Sequence, residues 1–153
     1  MSEYKNLQLD KQLCFALYSA TNSITRLYRS LLDEFELTYP QYLVLLVLWE
    51  KDGVAIKEVM KRLKLDTGTL SPMIKRLQNA GLVKKERTSQ DERIVRLYLT
   101  EKSKNLEPFI AQIQNKVACQ TELPSKEFFE LLDRLNHLTD SLNNKEDRQS
   151  ADL

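Results

Sequence analysis

Among the residues of this chain able to do covalent chemistry, Cys14 is set apart by its neighbours. It lies in Leu13-Cys14-Phe15-Ala16-Leu17-Tyr18-Ser19, with Tyr18 one helical turn on, Tyr28 further along the same apolar stripe and Tyr39 at the start of the next segment. A cysteine on an apolar helix is most often a small buried hydrophobe. The tyrosines open a second reading. Phenol hydroxyls donate hydrogen bonds to a thiolate, and the thiolate is the form that attacks peroxides. At about 1.5 Å of rise per residue, Cys14 and Tyr28 stand about 21 Å apart on one helix, so contact between them requires a second copy of the chain.

A second group of residues suits nucleic acid. Thr67, Thr69, Ser71, Lys75 and Arg76 recur along one short helical pattern, where hydroxyls near a helix start meet phosphates or base edges and Arg76 can bind guanine through two hydrogen bonds. Asp91 and Arg93 lie two apart in a charged loop; the aspartate can hold the loop while the arginine enters a narrow minor groove. The whole chain carries a net charge of only +1. Between Lys57 and Lys104, however, 13 basic residues face six acidic ones, a local excess of seven, and the remainder is correspondingly acidic. Such a basic centre neutralises phosphates and gains from displaced counterions.

Several elements must position these groups. Apolar residues at Leu13, Leu17, Ala20, Ile24, Leu27 and Leu31 predict a helix over 9–32, ended by 33–37. Thr38 caps the next helix, Pro40 falls in its first turn, and the helix runs to about Glu50 with apolar residues on nearly every side. Gly53 stops the chain, and Ile56, Val59, Met60 and Leu63 predict a short third helix. A fourth starts at Asp66 or Thr67 and stops before Gly81; Pro72 in its interior predicts a kink, or an irregular first turn loosened by Gly68. Residues 82–86 and 94–99 alternate with period two and predict two strands joined by the loop 87–93. A fifth helix over 101–119 and a sixth capped by Ser125 and apolar through Leu142 complete the chain, with 144–153 frayed.

Helix, break, helix, then a hairpin over 56–100 is the layout of a winged helix-turn-helix, whose second helix enters the major groove. The fold class is therefore mainly α with a small β-hairpin wing: a winged helix-turn-helix over 54–100, flanked by dimerisation helices over 9–37 and 101–142. A two-fold dimer suits a palindromic operator in double-stranded DNA with half-sites about one helical turn apart.

Length, about one domain, and composition exclude other classes. Three glycines leave no Gly-rich phosphate loop, and the longest apolar run, 42–49, is far below the roughly 20 residues of a membrane span. The N-terminus lacks a secretory pattern, so the cytoplasm is the expected location, where Cys14 and Cys119 are expected to be buried thiols or redox-active ones rather than a structural disulfide. His137, the one histidine, sits near an apolar stripe; no metal and no cofactor are expected.

Four segments carry a resemblance: residues 13–19, Thr38-Tyr39-Pro40-Gln41-Tyr42-Leu43-Val44, Thr67-Gly68-Thr69-Leu70-Ser71-Pro72-Met73 and Asp91-Glu92-Arg93. Through them the chain resembles, over about 9–142, a single domain of the MarR family of winged-helix regulators, and within it the OhrR branch of organic hydroperoxide-sensing repressors. The wing pair Asp91 and Arg93 is general to the family, whereas the cysteine with its tyrosines is specific to the peroxide sensors. The resemblance implies that Cys14 is oxidised to a sulfenic acid by an organic hydroperoxide, with Tyr28 and Tyr39 of the partner subunit hydrogen-bonded to its sulfur and Tyr18 lining the pocket. It also implies that Cys119 matches the resolving cysteine of the two-Cys members, which closes an intersubunit disulfide; the alternative is resolution by a small thiol, with Cys119 incidental. A rival reading is a MarR-type regulator answering a small phenolic ligand. A thiol peroxidase would need a dedicated substrate cleft, so no enzyme is expected.

Overall fold

In the computed structural model, which describes residues 4–88 and 93–151, the chain divides into two compact units, Met1–Val117 and Ala118–Leu153.

The first unit opens with 3-10 turns at Lys5–Leu7 and Leu9–Lys11, and helix α1 spans Leu13–Leu32. The helix was expected from residue 9. Gln12 ends the expectation: its backbone is extended, and its carboxamide donates to the carbonyls of Asn6 (2.6 Å) and Gln8 (3.1 Å), closing the preceding turns as a separate piece. At the other end Glu36 adopts a left-handed conformation (φ 54°) and stops the chain, as the sequence predicts for 33–37.

Helix α2, Tyr39–Glu50, starts at a capping box. The Gln41 N–H donates to Thr38 Oγ1 (3.4 Å) while the Thr38 N–H donates to Gln41 Oε1 (2.9 Å), so two otherwise orphaned donors are satisfied. The predicted cap is present, and Gln41 is the half of it that the sequence reading left out. Val44, Leu45, Val47 and Leu48 are all buried, which makes α2 the centre of the unit.

A strand that the sequence reading missed follows. β1, Val54–Ala55, pairs antiparallel with β3, Val95–Leu99, and β3 pairs with β2, Val83–Arg87, giving the order β1-β3-β2. Two residues carry no alternation signal, and their partner lies some 40 positions on. The predicted hairpin strands are present, each shifted inward at its start. Leu82 is withheld from β2 because its N–H closes α4, donating to the Leu77 carbonyl (2.9 Å) beside Gly81 at φ +69°. Ile94 instead accepts the Thr88 N–H across the loop (3.1 Å).

Helices α3, Ile56–Leu63, and α4, Thr67–Asn79, bury Val59 and Leu70, Ile74 and Leu77 respectively. The first turn of α4 is regular, contrary to the expectation of an irregular one. Asp66 Oδ1 accepts the Thr69 N–H at 2.7 Å, and a Cβ at residue 68 would stand 3.2 Å from that oxygen, so Gly68 makes room for the cap rather than loosening the turn. Helix α4 is helical throughout its span with Pro72 inside, where the ring withholds the N–H that the Gly68 carbonyl would accept.

Helix α5, Glu101–Gln120, begins at Thr100, whose Oγ1 accepts the Ser103 N–H (3.3 Å), and it buries Ile110, Ile113 and Val117. Ser103 is wholly buried, and its carbonyl accepts the Trp49 indole N–H (3.2 Å), joining α5 to α2.

In the second unit helix α6 spans Ser125–Ala151. Ser125 is its first residue, not its cap: the Phe128 N–H donates to the Pro124 carbonyl (2.9 Å). The helix spans the segment from 144 that was expected to be frayed, its backbone helical to 151. No described helix is long and apolar enough to cross a membrane.

Candidate DNA interface and redox site

Helix α4 buries one face and presents the other. With Leu70, Ile74 and Leu77 in the core, the five predicted residues Thr67, Thr69, Ser71, Lys75 and Arg76 are all exposed. Their surroundings differ. The Thr69 hydroxyl donates to Asp66 Oδ2 (3.1 Å) and the Thr67 hydroxyl to the Met60 sulfur (3.7 Å), so each offers an outside partner only its lone pairs. The side chains of Ser71, Lys75 and Arg76 make no hydrogen bond or ion pair among the described residues, and all three residues are exposed. Hydrogen bonds from the Thr69 backbone and hydroxyl hold the Asp66 carboxyl below its ordinary value, which keeps the cap ionised at neutral pH.

The wing is the β2–β3 hairpin. Lys84, Lys85 and Arg87 are exposed on β2, and Arg93 is exposed where the chain returns; Asp91 lies outside the described residues. Two residues at the root of the wing escaped the sequence reading. Asp52 Oδ1 accepts the Leu99 N–H (2.8 Å) and the Gly53 N–H (2.9 Å), and Arg96 Nη1 donates to the Gly53 carbonyl (2.7 Å). Gly53 has φ +71°, and a Cβ there would fall 2.8 Å from the Tyr98 ring. The Asp-Gly pair was a legible turn signal; its partners on β3 were not.

The redox candidates divide. Cys14, the second residue of α1, is exposed in the single chain. Cys119 is exposed near the end of α5 and belongs to the second unit. Tyr18 is 66 % exposed. Tyr28 and Tyr39 come together, their ring centroids 5.0 Å apart, and Tyr42 joins them at 5.2 and 5.8 Å. Tyr42 is 2 % exposed and its ring stands against that of Tyr28; as one apolar position among many in α2 it carried no signal of this role. Neither Tyr28 nor Tyr39 meets Cys14 within the chain, because Cys14 and Tyr28 sit on one unbroken helix.

Burial first, and then the neighbouring phenol Tyr28, pushes the Tyr39 hydroxyl above its ordinary value of 10.0. Burial and the neighbouring Tyr28 push Tyr42 higher still. Below pH 10 both hydroxyls keep their protons folded or unfolded. Above it the unfolded chain ionises first, so stability falls as pH rises. The urea midpoint is therefore expected to stay flat from about pH 7 to 9 and to drop beyond about pH 10, less steeply in a Tyr42→Phe chain.

Comparison with known proteins places this geometry. Residues 26–108 match the sequence profile of the family described as Transcriptional regulator SarA/Rot. The chain is 48% identical over 134 residues to the HTH-type transcriptional regulator TtmR of Methylorubrum extorquens (strain PA1), covering 88% of this chain and 69% of TtmR. It is 40% identical over 149 residues to the HTH-type transcriptional regulator MgrA of Staphylococcus aureus, covering 95% and 100%. Among solved structures, reduced AbfR bound to DNA superposes with a TM-score of 0.75 at 31% identity over 90% of this chain and 96% of that one. AbfR, a Staphylococcus epidermidis protein, has also been solved overoxidised on DNA and in a disulfide form. MarR shares the fold at a TM-score of 0.70. With an exposed α4, a basic wing and these relatives, the chain belongs to the SarA/Rot family of transcriptional regulators, with a winged-helix fold, and is a DNA-binding regulator.

Proposed function

We propose that this regulator is a redox-sensing repressor: a homodimer that binds a palindromic operator and is released when an organic hydroperoxide oxidises Cys14. The exposed sulfur of Cys14 in a chain similar to AbfR, which has been solved in reduced, disulfide and overoxidised forms, carries the reading. Ser71, Lys75 and Arg76 of α4 meet base edges, with Thr67 and Thr69 at the helix start beside phosphate, and Arg93 with Asp91 works in the wing.

In the first step the Cys14 thiolate attacks the outer peroxide oxygen. The O–O bond breaks as the S–O bond forms, and the alkoxide leaves as an alcohol after taking a proton, so that the sulfur is oxidised to a sulfenic acid and the peroxide is reduced. In the second step the Cys119 thiolate of the partner subunit attacks that sulfur; the S–S bond forms as the S–O bond breaks, and the departing hydroxide takes a proton and leaves as water. Tyr28 and Tyr39 of the partner subunit donate hydrogen bonds to the thiolate. Their hydroxyls suit this because Tyr39, held above its ordinary value, stays a protonated donor. The need for a dimer is supported by apolar side chains left in solvent on α1, including Leu13 (62 % exposed), Phe15 and Ile24.

A phenolic-ligand regulator is the second reading. It is favoured by a groove of about 340 Å³ between α2 and α5, where Tyr42, Trp49 and Ile110 form apolar walls and Glu50 and Glu107 offer acceptors for a phenol hydroxyl.

The test measures DNA binding of the reduced protein before and after one equivalent of cumene hydroperoxide, with non-reducing electrophoresis of the same samples. Lost binding with a thiol-reversible, dimer-sized band is expected. Loss without the band leaves Cys14 acting alone, and no loss hands the protein to the phenolic reading.

A further inference from the structure

We infer that Asp52 and Arg96 are positioning residues for DNA binding, acting through the wing rather than on DNA. The register that pairs Val54 with Leu97 sets Gly53 opposite Tyr98 and Asp52 opposite Leu99. β1 is only two residues long, so its own ladder holds the hairpin weakly. Asp52 extends that ladder with a side chain: Oδ1 takes the Leu99 N–H at the root of β3, and the Gly53 N–H keeps the carboxylate aimed. Arg96, three residues along β3 toward the loop, grips the Gly53 carbonyl from the opposite direction. β3 is therefore tied to the turn after α2 at two points, and among the described residues β2 has no strand partner besides β3. Whatever Arg93 touches at the far end of the hairpin is aimed from this root.

Asp52 through Oδ1 and Arg96 through Nη1 are each engaged with the protein's own backbone, the arrangement of a support for the wing. Removing a phosphate-contacting residue lowers affinity directly; removing a support lowers it only while the wing has a contact to lose.

The reduced protein is used throughout, so the outcome is independent of the redox proposal. The probe is a duplex enriched from a randomised pool by the wild-type chain. Asp52→Ala is expected to weaken binding by about tenfold and to lower the slope of log affinity against log salt by about one ion. Asp52→Asn, whose amide oxygen still accepts both N–H groups, is expected to stay within about threefold of wild type. In an Arg93→Ala background, itself weakened without loss of fold, Asp52→Ala is expected to cost no more than about threefold, because the contact it aimed is gone. Multiplying losses in the double variant would overturn the inference, as would an Asp52→Asn chain as weak as Asp52→Ala or an unchanged salt slope. If Asp52→Ala does not fold, Arg96→Met takes its place in the same cycle and is read by the same criteria.

Discussion

A Cys14→Ser chain is expected to bind operator DNA as tightly as wild type and to remain bound after hydroperoxide that releases the wild type. The substitution replaces one atom at an exposed position, so stability should stay within about 0.5 kcal/mol. A serine hydroxyl does not reduce a peroxide, and the first oxidation step is lost entirely. Coupling between effector and DNA sites is commonly worth about 1–3 kcal/mol, so wild-type affinity should fall by about 5- to 150-fold on oxidation and that of the serine chain not at all. Anisotropy titration with and without cumene hydroperoxide measures both. A Cys14→Ser chain that still leaves DNA would place the oxidisable group elsewhere. Its counterpart, Cys119→Ser, should still release but show no covalent dimer, and with no resolving thiol its Cys14 should proceed to the sulfinic acid, seen as two added oxygens by mass spectrometry.

The second large effect lies in the core. Leu97 is wholly buried at the centre of β3, paired with Val54 of β1 on one side and with Lys85 of β2 on the other, on a strand that packs against α2. Leu97→Ala removes three heavy atoms from a place that two strands and a helix keep from collapsing, and the expected cost is about 2–5 kcal/mol. Against a total stability of about 5–15 kcal/mol that is a substantial fraction. Urea unfolding should show a lowered midpoint with an unchanged slope, and DNA binding should weaken in step with the unfolded fraction. A midpoint within error of wild type would mean that the sheet is not part of the cooperative core.

Much of this fold is written in short-range signals. Thr38 is followed at the N3 position by Gln41, Asp66 by Thr69 and Asn79 by Gly81 after one residue. Each places a helix end through hydrogen bonds that span no more than five residues, so Thr38 and Pro40 for α2, and Asp66 and Gly81 for α4, sufficed to bound the helices nearly to the residue. The same locality explains the small misses. Gln12 reached backwards to Asn6 and Gln8 instead of continuing a helix, and Gly68 made room for a cap rather than loosening the first turn; in both cases a side-chain hydrogen bond set the helix start.

By itself the sequence determined the order of the six helices and the hairpin, the basic centre over α4 and the wing, the candidates Thr67, Thr69, Ser71, Lys75 and Arg76, and the identity of the cysteines and of Tyr28 with Tyr39 as the chemistry to watch. The tertiary structure decided what depends on residues far apart in the chain. A two-residue strand exists only because β3 lies beside it, Asp52 matters only because Leu99 presents an N–H, and Tyr42 joins the aromatic cluster only because α1 packs on α2. Periodicity records which face of an element is apolar. It holds no information about which distant residue will meet that face, because that is settled by how the whole chain closes its core.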